Sequence, residues 1–152
     1  MTIPVRRPTH ADERTVHTCF VSVRSYECDA YGHVNNAVYL NYLEYARHEY
    51  LRDIGVAIGE LRNAGYGLLI AKIAIEYRRP AVTDDNLRIN TTAVRQTIVG
   101  GVLRQVITNE GSASSGTPPA VIAQADVTWV CVDSRGRPAR LPPEFPWESP
   151  SS

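Results

Sequence analysis

Between Asn36 and Gly55 apolar residues recur at helical rather than strand spacing, and this is the longest helix the chain offers. Tyr39, Leu43, Ala46 and Tyr50 mark the stripe, widened by Leu40, Leu51 and Ile54, while Asn41, Glu44, His48 and Arg52 fall on another side. The spacing predicts about five turns at roughly 3.6 residues each. Asn35 or Asn36 suits the N-cap, and Gly55 suits the terminating position.

Around that helix the sequence reads as strands. Residues 15–25 hold Val16, Thr18 and Phe20 among other β-formers. In 67–79, Ala71, Ile73, Ile75 and Tyr77 alternate with Lys72, Ala74, Glu76 and Arg78. Residues 87–99 and 102–109 flank Gly100-Gly101, a pair suited to a two-residue hairpin turn because glycine takes positive φ readily. In 120–132, Ala123, Ala125, Val127, Trp129 and Cys131 share one face, with Gln124, Asp126 and Thr128 on the other. One strand, one long helix and four antiparallel strands make an α+β architecture. A single helix with a wide apolar stripe is buried only if the five-stranded sheet curls around it.

A chain of 152 residues fits one domain. Residues 1–14 read as a polar lead-in, 15–133 as the domain, and 134–152 as an extended tail. Half of the ten prolines fall after Arg137, and proline neither pairs in a central strand nor continues a helix. Phe145 and Trp147 are the residues expected to pin that tail. A formal net charge of zero argues against nucleic acid or an anionic membrane as partner. No apolar run approaches a membrane span. Cys19, Cys28 and Cys131 are odd in number and lack CxxC spacing, as expected of a protein in the reducing cytoplasm.

The densest polar cluster, Glu27, Asp29, His33, Asn35 and Asn36, sits between the first strand and the helix. Unpaired N–H groups at a helix start and the positive end of its dipole favour an anion. A carboxylate a few residues upstream can face the same spot. An acyl-transfer site needs those two elements, an acid or base and donors for a developing oxyanion.

The run Asp29-Ala-Tyr-Gly32-His33-Val34-Asn35-Asn36-Ala37-Val38-Tyr39, continuing through Leu43-Glu44-Tyr45-Ala46-Arg47, resembles the 4-hydroxybenzoyl-CoA thioesterase-like branch of the hotdog superfamily. The order of elements over residues 15–133 is also similar to that family. The resemblance implies hydrolysis of an acyl-CoA or acyl-carrier-protein thioester, with Asp29 as nucleophile or general base. The backbone N–H near Asn36 then polarises the carbonyl, Gly32 permits the tight turn, and His33 and Asn35 line or brace the site. It also implies dimers or tetramers with the site between subunits, and no metal or redox cofactor. Glu27 is a departure, standing where many relatives carry a second aspartate.

Each assignment has an ordinary alternative. Asp29 also suits an Asx-turn. Glu44 is the rival catalytic acid, since other hotdog thioesterases carry a carboxylate on this helix; otherwise it is an i,i+4 partner for His48. Arg78 and Arg79, before Pro80, suit the phosphates of CoA or an acidic carrier protein, or are solvated strand charges. Val34 and Tyr39 are placed to line a substrate site, and Tyr39, Tyr42, Tyr45 and Tyr50 to pack core and interface. Two other functions share the fold. A hotdog hydratase or dehydratase uses an Asp/His pair spaced differently from the one here, and a non-catalytic acyl-CoA-binding module would show ligand binding without turnover.

Overall fold

The computed structural model describes residues 15–111 and 116–148. The expected lead-in, residues 1–14, and the end of the tail lie outside the described residues. In chain order the elements are β1 (Val16–Ser22), a 3-10 turn (Ser25–Glu27), α1 (Val38–Ile54), α2 (Ile58–Asn63), β2 (Gly67–Tyr77), β3 (Asn86–Gln96), β4 (Gly100–Asn109) and β5 (Ala120–Val132). The five strands form one antiparallel sheet in the order β1-β3-β4-β5-β2.

The helical stripe meets the sheet as its spacing demands. Tyr39, Tyr42, Leu43 and Ala46 are buried with Leu87 and Ile89 of β3, Ile107 of β4, and Ala125 and Val127 of β5. Each large apolar side chain so buried contributes about 1.5–3 kcal/mol. Gly55, at φ 84°, ends α1 in the left-handed region. There the Gly55 N–H bonds the Arg52 carbonyl and the Val56 N–H bonds that of Leu51, a Schellman closure. Gln105 on β4 is fully buried and ties sheet to helix. Its amide donates to the Leu43 carbonyl (3.0 Å) and Thr91 Oγ1 (3.1 Å), and its carbonyl accepts from Arg47 (3.1 Å).

The turn between β3 and β4 departs from the sequence expectation. It lies at Thr97–Val99, closed by Thr97 N–H on the Gly100 carbonyl, while Gly100 and Gly101 are the first residues of β4. A Cβ on Gly101 would sit 2.5 Å from the Arg95 carbonyl oxygen, and one on Gly100 would meet the backbone of Trp129. These glycines admit close backbone approach beside the Ala93/Arg95 bulge rather than positive φ.

A second bulge, between Ile70 and Lys72, resets the alternation of β2. Before it Leu68 and Ile70 pair with the inward-facing Cys131 and Trp129; after it Ile73 pairs with Val127. The strand thus turns even-numbered residues inward at one end and odd-numbered ones at the other. Beyond β5 the tail folds back. The Ala139 N–H bonds the Cys131 carbonyl, Leu141 bonds Ile98, and Trp147 stacks on Trp129 with centroids 5.7 Å apart.

Candidate active site

The loop from β1 to α1 is built by its own short-range bonds. Glu27 closes the 3-10 turn by accepting from the Arg24 N–H (2.8 Å) and also accepts from the Tyr42 hydroxyl (3.0 Å). Burial, then the Glu27 carboxylate, push the Tyr42 phenol well above its ordinary value. Cys28 and Val34 then pair across a small hairpin. Within it Asp29 N–H bonds the His33 carbonyl (2.7 Å) and Gly32 N–H bonds the Asp29 carbonyl (3.0 Å). Gly32 takes φ 76°, a region costly to residues bearing a Cβ.

Asp29 Oδ1 accepts from the Tyr31 N–H (2.8 Å) and the His33 N–H (3.2 Å), so the aspartate does make the Asx-turn. No described residue bonds its Oδ2. The hairpin fixes the carboxylate by one oxygen and leaves the other unbonded among the described residues. The imidazole of His33 has no partner among the described residues; its backbone carries the hairpin and bridges to Val82.

At the helix start the N-cap is Ala37, without a side-chain cap, rather than Asn35 or Asn36; Asn35, two residues ahead of it, closes the preceding turn. Its Oδ1 accepts from the Ala37 N–H (2.9 Å), and its carbonyl accepts from Val38 N–H (2.9 Å). Asn36 makes no side-chain cap. Its carbonyl accepts from the Tyr77 hydroxyl (2.9 Å), and its N–H has no acceptor among the described residues. That amide lies just before the start of a 17-residue helix, where the helix dipole is positive and favours negative charge.

These groups border one open cleft of about 320 Å3. Asp29, His33, Val34 and Asn36 line it from the loop, and Tyr39 from the first turn of α1. Arg78 and Arg79 line it from just beyond β2. Val34 is only 4% exposed and belongs mainly to the core. Tyr39 is buried as well, and its hydroxyl accepts from the Ala81 N–H (3.0 Å); burial, the largest cause, raises its pKa. Gly32 and Asn35 shape the loop without lining the cleft. Arg78 pairs with Glu76 at 3.4 Å; Arg79 has no ion pair among the described residues. Tyr77 and Pro80 also line the cleft, and the sequence reading missed both. The available signal was Tyr77's place at the end of an alternating strand leading into Arg78-Arg79-Pro80.

Glu44 lies elsewhere. It sits 4.0 Å from His48, two-thirds exposed, and borders a separate pocket toward the C-terminal end of α1. From the start of α1 at Val38, Glu44 lies six residues along the helix, roughly 9 Å, away from the cleft.

A family model described as the thioesterase-like superfamily matches residues 23–146. Long-chain acyl-CoA thioesterase FadM of Escherichia coli is 36% identical over 119 residues, covering 78% of this chain and 85% of FadM. Acyl-acyl carrier protein thioesterase ATL2 of Arabidopsis thaliana, a chloroplastic protein, is 33% identical over 126 residues, covering 83% of this chain. The chain spans only 64% of that relative's length. Among solved structures, the probable thioesterase YbaW of Escherichia coli superposes with a TM-score of 0.65 at 32% identity, covering 82% of this chain and 89% of that one. A probable thioesterase from Bartonella henselae gives 0.69 at 27% identity, covering 84% and 98%. With its matched segment, its curled five-stranded sheet and its single long helix, the chain belongs to the thioesterase-like superfamily of hotdog proteins.

Proposed function

We propose that the protein hydrolyses acyl-CoA or acyl-carrier-protein thioesters to the free acid and thiol, with Asp29 as its catalytic carboxylate. The observation that carries this reading is the convergence of three unlike groups on one cleft. These are the Asp29 carboxylate with an unbonded Oδ2, the free Asn36 amide, and the cations Arg78 and Arg79. The thioester carbonyl oxygen accepts from the Asn36 N–H, where charge developing in the transition state is stabilised by a pre-set donor. Asp29 attacks the carbonyl carbon directly or takes a proton from an attacking water. If Asp29 attacks, its oxygen bonds the carbonyl carbon as C–S breaks, giving a mixed anhydride that water then hydrolyses to the free acid, with water's proton going to the thiolate. If Asp29 acts as base, the water oxygen bonds the carbon as C–S breaks, and the proton taken from water passes to the thiolate. His33 and Asn35 hold the loop and helix start in register, and Val34 and Tyr39 wall the cleft. Arg78 and Arg79 receive the phosphates of CoA or of a carrier's prosthetic arm. FadM and ATL2, the one named for acyl-CoA and the other for acyl-carrier-protein substrates, are consistent with either thiol.

The reading includes a homo-oligomer. β2 is an edge strand with Leu69, Ile70 and Tyr77 exposed, an unprotected row of backbone groups of the kind that pairs with another chain. Among the described residues no helix is long and apolar enough to cross a membrane. The three cysteines are unpaired, which suits a reducing compartment, and we place the reaction in the cytoplasm.

Release of thiol from a panel of acyl- and aryl-CoA esters tests the activity. Asp29→Asn keeps an oxygen for the Tyr31 and His33 amides but removes the charge. It is expected to lower kcat by about 10²–10⁴-fold, with the fold retained by circular dichroism. A panel without thiol release, or an Asp29→Asn variant as fast as wild type, overturns the assignment.

A further inference from the structure

Glu27 takes no part in the hydrolytic steps, yet it joins three parts of the chain. Its side chain is only 11% exposed. Oε1 accepts both the Arg24 N–H (2.8 Å) and the hydroxyl of Tyr42, in the second turn of α1 (3.0 Å). Oε2 lies 3.8 Å from the Arg24 guanidinium. The Glu27 carbonyl accepts from the Asn35 N–H (2.9 Å). One residue thus ties the 3-10 turn, the outgoing arm of the Cys28–Val34 hairpin and the helix together.

The two groups assigned to the thioester flank that junction. Asp29 lies two residues beyond Glu27 on the incoming arm of the hairpin, and Asn36 follows directly on Asn35 at the end of the other. The bonds of Asp29 with His33 and Gly32 fix the shape of the hairpin, and Val34 N–H ties it to the Ala81 carbonyl (2.9 Å). Its angle to the body of α1 is a separate matter. Among the described residues, the side-chain bond from the incoming arm to α1 is that of Glu27 with Tyr42. Tyr42 is a firm anchor, 3% exposed, with its ring edge-on to Tyr39 at 6.1 Å between centroids. Tyr39 in turn lies 5.5 Å from Tyr77, whose hydroxyl holds the Asn36 carbonyl. Burial, then the Glu27 carboxylate, raise the Tyr42 pKa, so the phenol keeps its proton and stays the donor.

We propose that the Glu27–Tyr42 bond is a brace that sets the distance between the Asp29 carboxylate and the Asn36 amide, which makes Glu27 a positioning residue for thioester hydrolysis. The role rests on the hydrolysis proposed above, in which both groups meet one carbonyl. There a misplacement of about 1 Å costs on the order of 10²-fold in rate. Tyr42→Phe keeps the ring and removes the bond; Glu27→Ala removes the acceptor. Each is expected to lower kcat at least about tenfold with KM within about twofold of wild type. The double variant should be no slower than Glu27→Ala, because the two residues act through one bond. Glu27→Gln keeps Oε1 as acceptor and should hold kcat within about threefold of wild type. Amide hydrogen exchange reads the brace without substrate. In Tyr42→Phe the Asp29 and Asn35 N–H groups should exchange at least about tenfold faster, with Val127 in β5 unchanged. Exchange that quickens equally at Val127 would mean a general loss of stability and overturns the brace. So does wild-type kcat in Tyr42→Phe, a rise in KM alone, or additive losses in the double variant. A wild-type protein that releases no thiol overturns the hydrolysis itself, whereas an active wild type with equally active variants overturns only the positioning role.

Discussion

Asp29 uses only one of its two oxygens for structure. Oδ1 closes the Asx-turn on Tyr31 and His33, which fixes the carboxylate without consuming Oδ2. The same economy holds at Asn36, whose carbonyl is held by Tyr77 while its N–H stays open. Under the proposed mechanism Tyr77 is a positioning residue: its hydroxyl reaches from the end of β2 to the Asn36 carbonyl just before α1. Tyr77→Phe removes that bond and keeps the ring. If the Asn36 amide is the oxyanion donor, kcat should fall about three- to tenfold with KM little changed, as expected for loss of one neutral hydrogen bond felt in the transition state. Steady-state kinetics on one acyl-CoA checks this; a rise in KM alone would make Tyr77 a substrate contact instead.

Among the elements, α1 and β5 were the most legible, because each carries one unbroken period that a single buried face requires. Tyr39, Leu43, Ala46 and Tyr50 are buried as spaced, and Ala123, Ala125, Val127 and Cys131 are buried on one face of β5. The β3–β4 turn was not. Paired glycines suit a tight turn and a crowded strand equally well, and only the proximity of Arg95 and Trp129 separates the two. Gly101→Ala is accordingly expected to destabilise the protein by about 1–3 kcal/mol, the range for overpacking, whereas at an open site with negative φ it would stabilise by about 0.4–1 kcal/mol. Urea denaturation measures this, and an unchanged midpoint would mean that the backbones separate without cost. The short helix α2 also escaped notice, since six residues are too few for a period to show.

At the scale of the whole molecule, β2 leaves one edge of the sheet unpaired within the chain. As the edge strand it carries exposed Leu69 and Ile70 beside a row of backbone groups unpaired within the sheet. In a twofold assembly a residue near the axis meets its own copy, so one substitution introduces two like charges. Leu69→Lys is expected to raise the dissociation constant of the oligomer at least about tenfold, seen as a shift toward the single-chain mass by light scattering after gel filtration. Wild type running as a single chain at micromolar concentration would remove the proposed interface.

The sequence by itself determined the order of elements, the one long helix, the α+β class and the position of the Asp29–Asn36 cluster. All of these depend on neighbours within a few residues, through hydrogen bonds and side-chain periods that a linear reading contains. Tertiary structure alone decided which distant groups share a space. It brought Tyr77, Arg78 and Arg79 to the cleft, drew Glu44 away from Asp29, and folded Trp147 onto Trp129 to wall a second pocket. Those outcomes follow from sheet order and from a one-residue bulge in β2 that reverses which side chains face inward, and neither leaves a local mark in the sequence.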